Sequence, residues 1–289
     1  MKEEVLCAGS ERSLVGVACF PDGPARGALV LLNAGLVHRV GPARLWVALA
    51  RRVGRLGLAS LRVDFSGIGD SPDASVDSRF EVRAVGEARA AIDALLGSIG
   101  TTGATGASRC ALVGLCSGAE IAFKTALEDP RVGALILVNA PRFLEEPSAE
   151  LVARLERKQA ARYYWRVALR NPKSWWKALR GRADLAAMAR AAVERAKRKP
   201  RAPAARPDSP DARAFRTLIE RGTDIQIVLS EGDWGQDYLD AILGADFDAG
   251  ALPGRIQRTL VPACDHLLTP LESQRALLEH VEQWARAWN

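Results

Sequence analysis

Gly114-Leu115-Cys116-Ser117-Gly118 joins a short apolar run, Ala111 to Leu115, to a stretch of helical period from Gly118 to Glu128. A run of that length and composition reads as a buried strand, so the five residues form a sharp strand-to-helix turn. The spacing is G-x-nucleophile-x-G, and the glycines are a steric need. A side chain two positions before or after the apex would strike the neighbouring strand or helix, while the apex residue is lifted above the carboxyl edge of a sheet. The apex here is Cys116. A helix N-terminus favours a thiolate, because the backbone dipole stabilises negative charge there. Ser117 fits the frame less well, since Leu115 would then occupy a position that needs a small residue.

The same alternation continues on both sides of this turn. Ala28 to Leu32 reads as a buried strand, and Leu45, Leu49, Val53 and Leu56 recur at helical spacing until Gly57. Leu61 to Asp64 reads as the next strand, followed by a helix bearing Val82, Val85, Ile92 and Leu95. Beyond the turn, Ala134 to Val138 is a strand, then come a helix ending near Gly222, the strand Ile225 to Leu229, a short helix, and the strand Ile256 to Val261. A closing helix carries Leu277, Val281, Trp284 and Trp288 on one face. Alternating strands and helices predict a mostly parallel sheet with helices on both faces. Val5–Ala8 and Leu14–Phe20 have no helix between them and are expected as an antiparallel edge.

The chain has 289 residues, 48% of them apolar, ample for a packed core, and a net charge of +6 that is unevenly spread. Residues 151–206 carry +14 and the remainder −8, so an acidic body holds a basic insert. The predicted division is a core of residues 1–141 and 211–289 with a basic helical cap at 142–210. The insert contains Tyr163, Tyr164, Trp165, Trp175 and Trp176 and closes on a proline-rich return. It could cap the site, dock an acidic partner, or bind nucleic acid; the last lacks an accompanying motif and is set aside. The five cysteines are scattered without a C-x-x-C pair, so neither a disulfide framework nor a zinc ribbon is indicated. No apolar run approaches the ~20 residues of a membrane span, and the acidic start, Met-Lys-Glu-Glu-Val, is unlike a signal peptide. A cytoplasmic protein is expected. No Walker sequence or H-E-x-x-H occurs, and Pro72 spoils the dinucleotide reading of Gly67-Ile68-Gly69, so neither metal nor cofactor is expected.

With this turn, the chain resembles the α/β-hydrolase superfamily over nearly its whole length. Asn33-Ala34-Gly35-Leu36 stands where the superfamily places its oxyanion loop, with Asn33-Ala34 in place of the usual His-Gly. Arg62 to Ser71 is similar to its R-x-D-x-x-G-x-G-x-S segment, Glu231-Gly232-Asp233 to its acid loop and Asp265-His266 to its histidine loop. More narrowly, Asn33 to Pro42 together with the cysteine turn resembles small hydrolases encoded beside exosortase or carrier-protein biosynthetic genes. The resemblance implies a Cys116–His266–Asp233 triad, with an oxyanion hole from the N–H groups of Ser117 and of Gly35 or Leu36. His38, Trp234 and Trp165 are the expected substrate-binding residues.

Some positions stay open at this level. Glu231 or Asp93 could replace Asp233 as the acid. His38 could contact substrate or merely hold its loop, while His280, inside the last helix, reads as packing. Arg62 and Asp64 are expected to form a structural ion pair. A thiol nucleophile favours a thioester donor, because exchange of one thioester for another is close to isoenergetic whereas attack on an oxygen ester is uphill. The expected activity is therefore acyl-thioester hydrolysis or acyl transfer, on a small acyl substrate, an acyl carrier protein or a coenzyme A thioester. An esterase or lactonase of dienelactone-hydrolase type, and a catalytically silent binding protein, are the alternatives.

Overall fold

The structure is a computed structural model and describes residues 1–9, 13–74, 80–99, 110–144, 152–153, 209–231, 233, 235–243 and 256–288. Most of the predicted 142–210 insert, including Trp165, lies outside these residues, as does Trp234.

Among the described residues, eight strands form one sheet: β1 (Lys2–Ala8), β2 (Leu14–Phe20), β3 (Gly27–Leu32), β4 (Leu58–Val63), β5 (Cys110–Leu115), β6 (Val132–Val138), β7 (Asp224–Ser230) and β8 (Ile256–Val261). Their order across the sheet is β1-β2-β4-β3-β5-β6-β7-β8. β1 and β2 pair antiparallel, β2 pairs antiparallel with β4, and every other neighbour is parallel. The antiparallel edge expected from the sequence is therefore present. β3, β4 and β5 are buried along their whole length, as parallel strands covered on both faces must be.

The covering helices are α1 (Leu45–Arg55), α2 (Phe80–Ile99), α3 (Ser117–Glu128), α4 (Pro210–Glu220), α5 (Gly235–Leu243) and α6 (Leu271–Ala287). One core layer packs α2, α3, α4 and α5 on the sheet, with Phe123, Phe143 and Phe215 in mutual ring contact. The other packs α1 and α6, through Leu45, Trp46, Leu49 and Val53 against Leu277, Val281 and Trp284. Trp288 stands just past α6 and stacks on Trp284. Along α2 the spacing of Ala84, Ala88, Ala91 and Leu95 sets the buried stripe, which leaves Val82 largely exposed.

Because six adjacent strands, β4 through β8 in sheet order, run parallel, their carboxyl ends lie along one edge. Leu32 pairs with Gly114, Leu115 with Val138, Val138 with Val228, and Ser230 with Val261. The segments that leave this edge begin at Asn33, Asp64, Cys116, Asn139, Glu231 and Pro262, the topological place for a site in an open α/β sheet.

The expected Arg62–Asp64 pair is not formed. Alternate residues of a strand face opposite sides, and Arg62 reaches across to Glu3 Oε1 at 3.2 Å. Just beyond β4, the buried Asp64 carboxylate instead pairs with Arg39 and accepts the Asp70 N–H at 3.1 Å. A Cβ at Gly69 would lie 2.2 Å from Asp64 Oδ2, so the G-x-G spacing here wraps a carboxylate.

Candidate active site

Cys116 caps α3 with φ 54 and ψ −120, a left-handed-side conformation that a non-glycine residue adopts only under constraint. The constraint is visible on both sides. A Cβ at Gly114 would meet the Gly118 carbonyl oxygen at 2.3 Å, and one at Gly118 would meet that of Leu32 at 2.4 Å. The Cys116 N–H donates to Val138 O at 2.9 Å, which ties the apex to β6. Ser117 already has its place as the first residue of the helix.

His266 and Asp233 come together from the ends of β8 and β7. Nδ1 of His266 lies 2.6 Å from Asp233 Oδ2, and the other Asp233 oxygen accepts the Gly235 N–H at 2.8 Å. Asp233 is buried, and its own N–H donates to Ser230 O at 3.0 Å. The Cys116 thiol is the imidazole's second electrostatic neighbour. Asp233 first and Cys116 second hold its proton against partial burial, and its pKa is pushed up to about 10. With Nδ1 committed to Asp233, Nε2 is the nitrogen left for the thiol.

The competing residues are placed elsewhere. Glu231 Oε2 accepts the Ala263 N–H at 3.2 Å, and Asp93 on α2 pairs with Arg131 at 2.7 Å. His280 lies 3.5 Å from Thr259 Oγ1, and burial lowers its pKa. His38 is exposed, and its backbone carbonyl accepts from Asn33 Nδ2 at 2.5 Å and from the Gly41 N–H at 3.0 Å. Its main chain thus closes the loop after β3, and the residue is exposed.

That loop meets the elbow at one point. The Gly35 N–H donates to Ser117 Oγ at 2.6 Å. Gly35 has φ 47, and nothing lies within 4 Å of where its Cβ would be, so the glycine serves backbone conformation rather than packing. Leu36, the other expected upstream donor, is 89% exposed.

Sequence reasoning missed Asn139. It sits at the end of β6, fully buried and with φ 48. Its Nδ2 donates to Ser230 Oγ and to His266 O, each at 2.7 Å, and its Oδ1 accepts the Ser230 N–H at 2.7 Å. Ser230 Oγ donates in turn to Asp265 O at 2.8 Å. One amide therefore ties together the ends of β6, β7 and the histidine loop. The available signal was an asparagine directly after an apolar strand, the residue type that best tolerates a left-handed φ.

No protein-family model matches the chain, and no curated protein matches it. Solved structures do. A dienelactone hydrolase from Anabaena variabilis aligns with a TM-score of 0.54 at 12% identity, covering 99% of this chain and 98% of that one. A protein of unknown function from Agrobacterium tumefaciens, provisionally classed as an α/β hydrolase, aligns with a TM-score of 0.54 at 12% identity, over 98% and 94% of the two chains. A thioesterase domain from the curacin biosynthetic pathway aligns with a TM-score of 0.52 at 15% identity, over 97% and 99%. Sheet order, turn and near-complete alignment agree, and the chain has the α/β-hydrolase fold.

Proposed function

We propose that the protein is an acyl-thioester hydrolase or acyltransferase with Cys116 as nucleophile, His266 as its proton partner and Asp233 as the acid that orients the imidazole. The observation that carries this reading is His266, bonded to Asp233 on one side and electrostatically coupled to Cys116 at the constrained turn on the other. In this mechanism Cys116 attacks as the thiolate, and His266, whose pKa is raised to about 10, holds the proton that goes to the departing thiol. Once Cys116 is acylated, that partner is gone and the imidazole is free to act as base toward water or an amine. A thiol enzyme of this kind suits the reducing cytoplasm, where free cysteines persist.

The +14 insert at 151–206 is read as a cap whose basic face receives an anionic donor, either a carrier protein or coenzyme A. Incubation with a panel of acyl thioesters, read by intact mass, tests both parts. The expected result is an acyl adduct on Cys116, loss of about 10³-fold or more in turnover for Cys116→Ala, and an unchanged melting temperature. Transfer from carrier-bound or coenzyme A donors should slow steeply with added salt, unlike transfer from a short uncharged thioester. An adduct on another residue removes Cys116 from the mechanism, and a salt-independent rate on every donor leaves the insert only a cap.

A further inference from the structure

We propose that the side chain of Ser117 is a catalytic oxyanion donor, aimed by the Gly35 N–H, so that the loop after β3 acts on the substrate through a hydroxyl relay. This rests on Cys116 being the nucleophile and extends that reading to a residue beside it.

The Gly35–Ser117 hydrogen bond crosses from the loop after β3 to the first residue of α3 at 2.6 Å. It commits the Gly35 N–H to a protein acceptor, so that N–H is no longer a vacant donor for substrate. The serine has meanwhile used only one side of its oxygen. Among the described residues Ser117 Oγ accepts from Gly35, and no acceptor is found for its own proton. That leaves an unused O–H next to the nucleophile, on a residue whose backbone N–H opens a helix where the first turn has no intrahelical acceptor. A hydroxyl that accepts one hydrogen bond donates a stronger one, because the two polarise each other. Gly35 fits the same account: its positive φ, with open space around the missing side chain, presents its N–H to the serine.

In the reaction, Cys116 Sγ bonds to the thioester carbonyl carbon and the C–O π pair moves onto oxygen. The resulting oxyanion accepts from the Ser117 N–H and the Ser117 O–H, and the hydroxyl keeps its proton throughout. On collapse the pair re-forms C=O, the bond to the departing sulfur breaks, and that sulfur takes the proton of the His266 imidazolium. The second donor of the hole is thus a side chain, with Gly35 as the positioning residue behind it.

The test compares the intact wild-type protein with Ser117→Ala, Ser117→Thr and Cys116→Ala, using a short-chain acyl thioester whose released thiol is titrated, and alkylation of Cys116 by iodoacetamide. Alkylation is a displacement at saturated carbon and makes no oxyanion. Ser117→Ala is expected to lower kcat about 10²–10³-fold, the usual loss for one oxyanion donor, with little change in KM. Its alkylation rate should match wild type, and Ser117→Thr, which keeps the hydroxyl, should recover most of the turnover. A Ser117→Ala protein that turns over as fast as wild type, or faster, overturns the relay: the hydroxyl would then be a bystander or a plug over the Gly35 N–H. Equal losses in turnover and alkylation also overturn it, since the serine would be shaping the elbow. The broader reading fails by a separate sign, namely Cys116→Ala retaining wild-type turnover.

Discussion

At the elbow, Cys116 is placed by the absence of space: Gly114 and Gly118 fit where any Cβ would lie within 2.4 Å of a carbonyl oxygen. Across the site, Asp233 and His266 are placed by bonds, through one buried amide at Asn139 and the Ser230 hydroxyl. The two constructions fail differently. A steric clamp has no intermediate state, because packed backbone cannot yield by an ångström without moving a strand. A hydrogen-bonded brace can lose one member and sag, and the loops it held still find each other part of the time. The elbow cysteine is therefore set rigidly, and the Asp233–His266 pair is set adjustably.

Substitution at the glycines should break the molecule outright. Gly118→Ala is expected to cost more than about 4 kcal/mol and to prevent recovery of folded protein, since the clash is with the backbone of β3. A soluble variant with a wild-type melting curve would show the clamp to be softer than its geometry. On the other side the effect should be smaller and divided. Asn139→Ala leaves the Ser230 N–H and the His266 carbonyl without this partner, at about 1–3 kcal/mol by denaturant titration. Its kcat should fall about 10–10²-fold while KM holds, because the imidazole drifts from the thiol. If only stability changes, Asn139 is a fold residue and the brace has no part in positioning.

The most specific change is Asp233→Asn, and its signature is a pH dependence. His266 ionises near 6.5 when unfolded and near 10 when folded, so the pair's contribution to stability is whole below 6.5, declines as the unfolded chain loses its proton, and is gone by about 10. The gap in melting temperature between wild type and Asp233→Asn should accordingly be widest just below pH 6.5 and close toward pH 10. Imidazole resonances should show the variant titrating well below wild type. A gap that stays constant with pH would mean that Asp233 contributes packing or backbone bonds and not charge.

The same division explains what could be read from the chain in advance. Strand order apart, the parallel core, its antiparallel edge and the elbow follow from local features: apolar runs of six residues, helical periods, and two glycines at fixed spacing around Cys116. The brace is non-local. Asn139 and Ser230 are 91 residues apart, and Gly35 and Ser117 are 82 apart, so no window of sequence contains either pair. The Arg39–Asp64 pair was hidden by a nearer decoy, Arg62, which strand alternation turns away toward Glu3. Trp234 and Trp165 lie outside the described residues, and their role remains a proposal.

The linear order of the site also sets a timetable for synthesis. Cys116 leaves the ribosome 150 residues before His266, an interval of about 8–30 s at ordinary elongation rates. β1 to β6 are complete early in that interval, yet the strands that deliver the acid and the histidine, β7 and β8, form one end of the sheet and come last. The nascent protein therefore carries its elbow cysteine without the imidazole that pairs with it. The two meet only when the carboxyl-terminal strands dock, so completion of the fold is the event that brings the imidazole to the elbow.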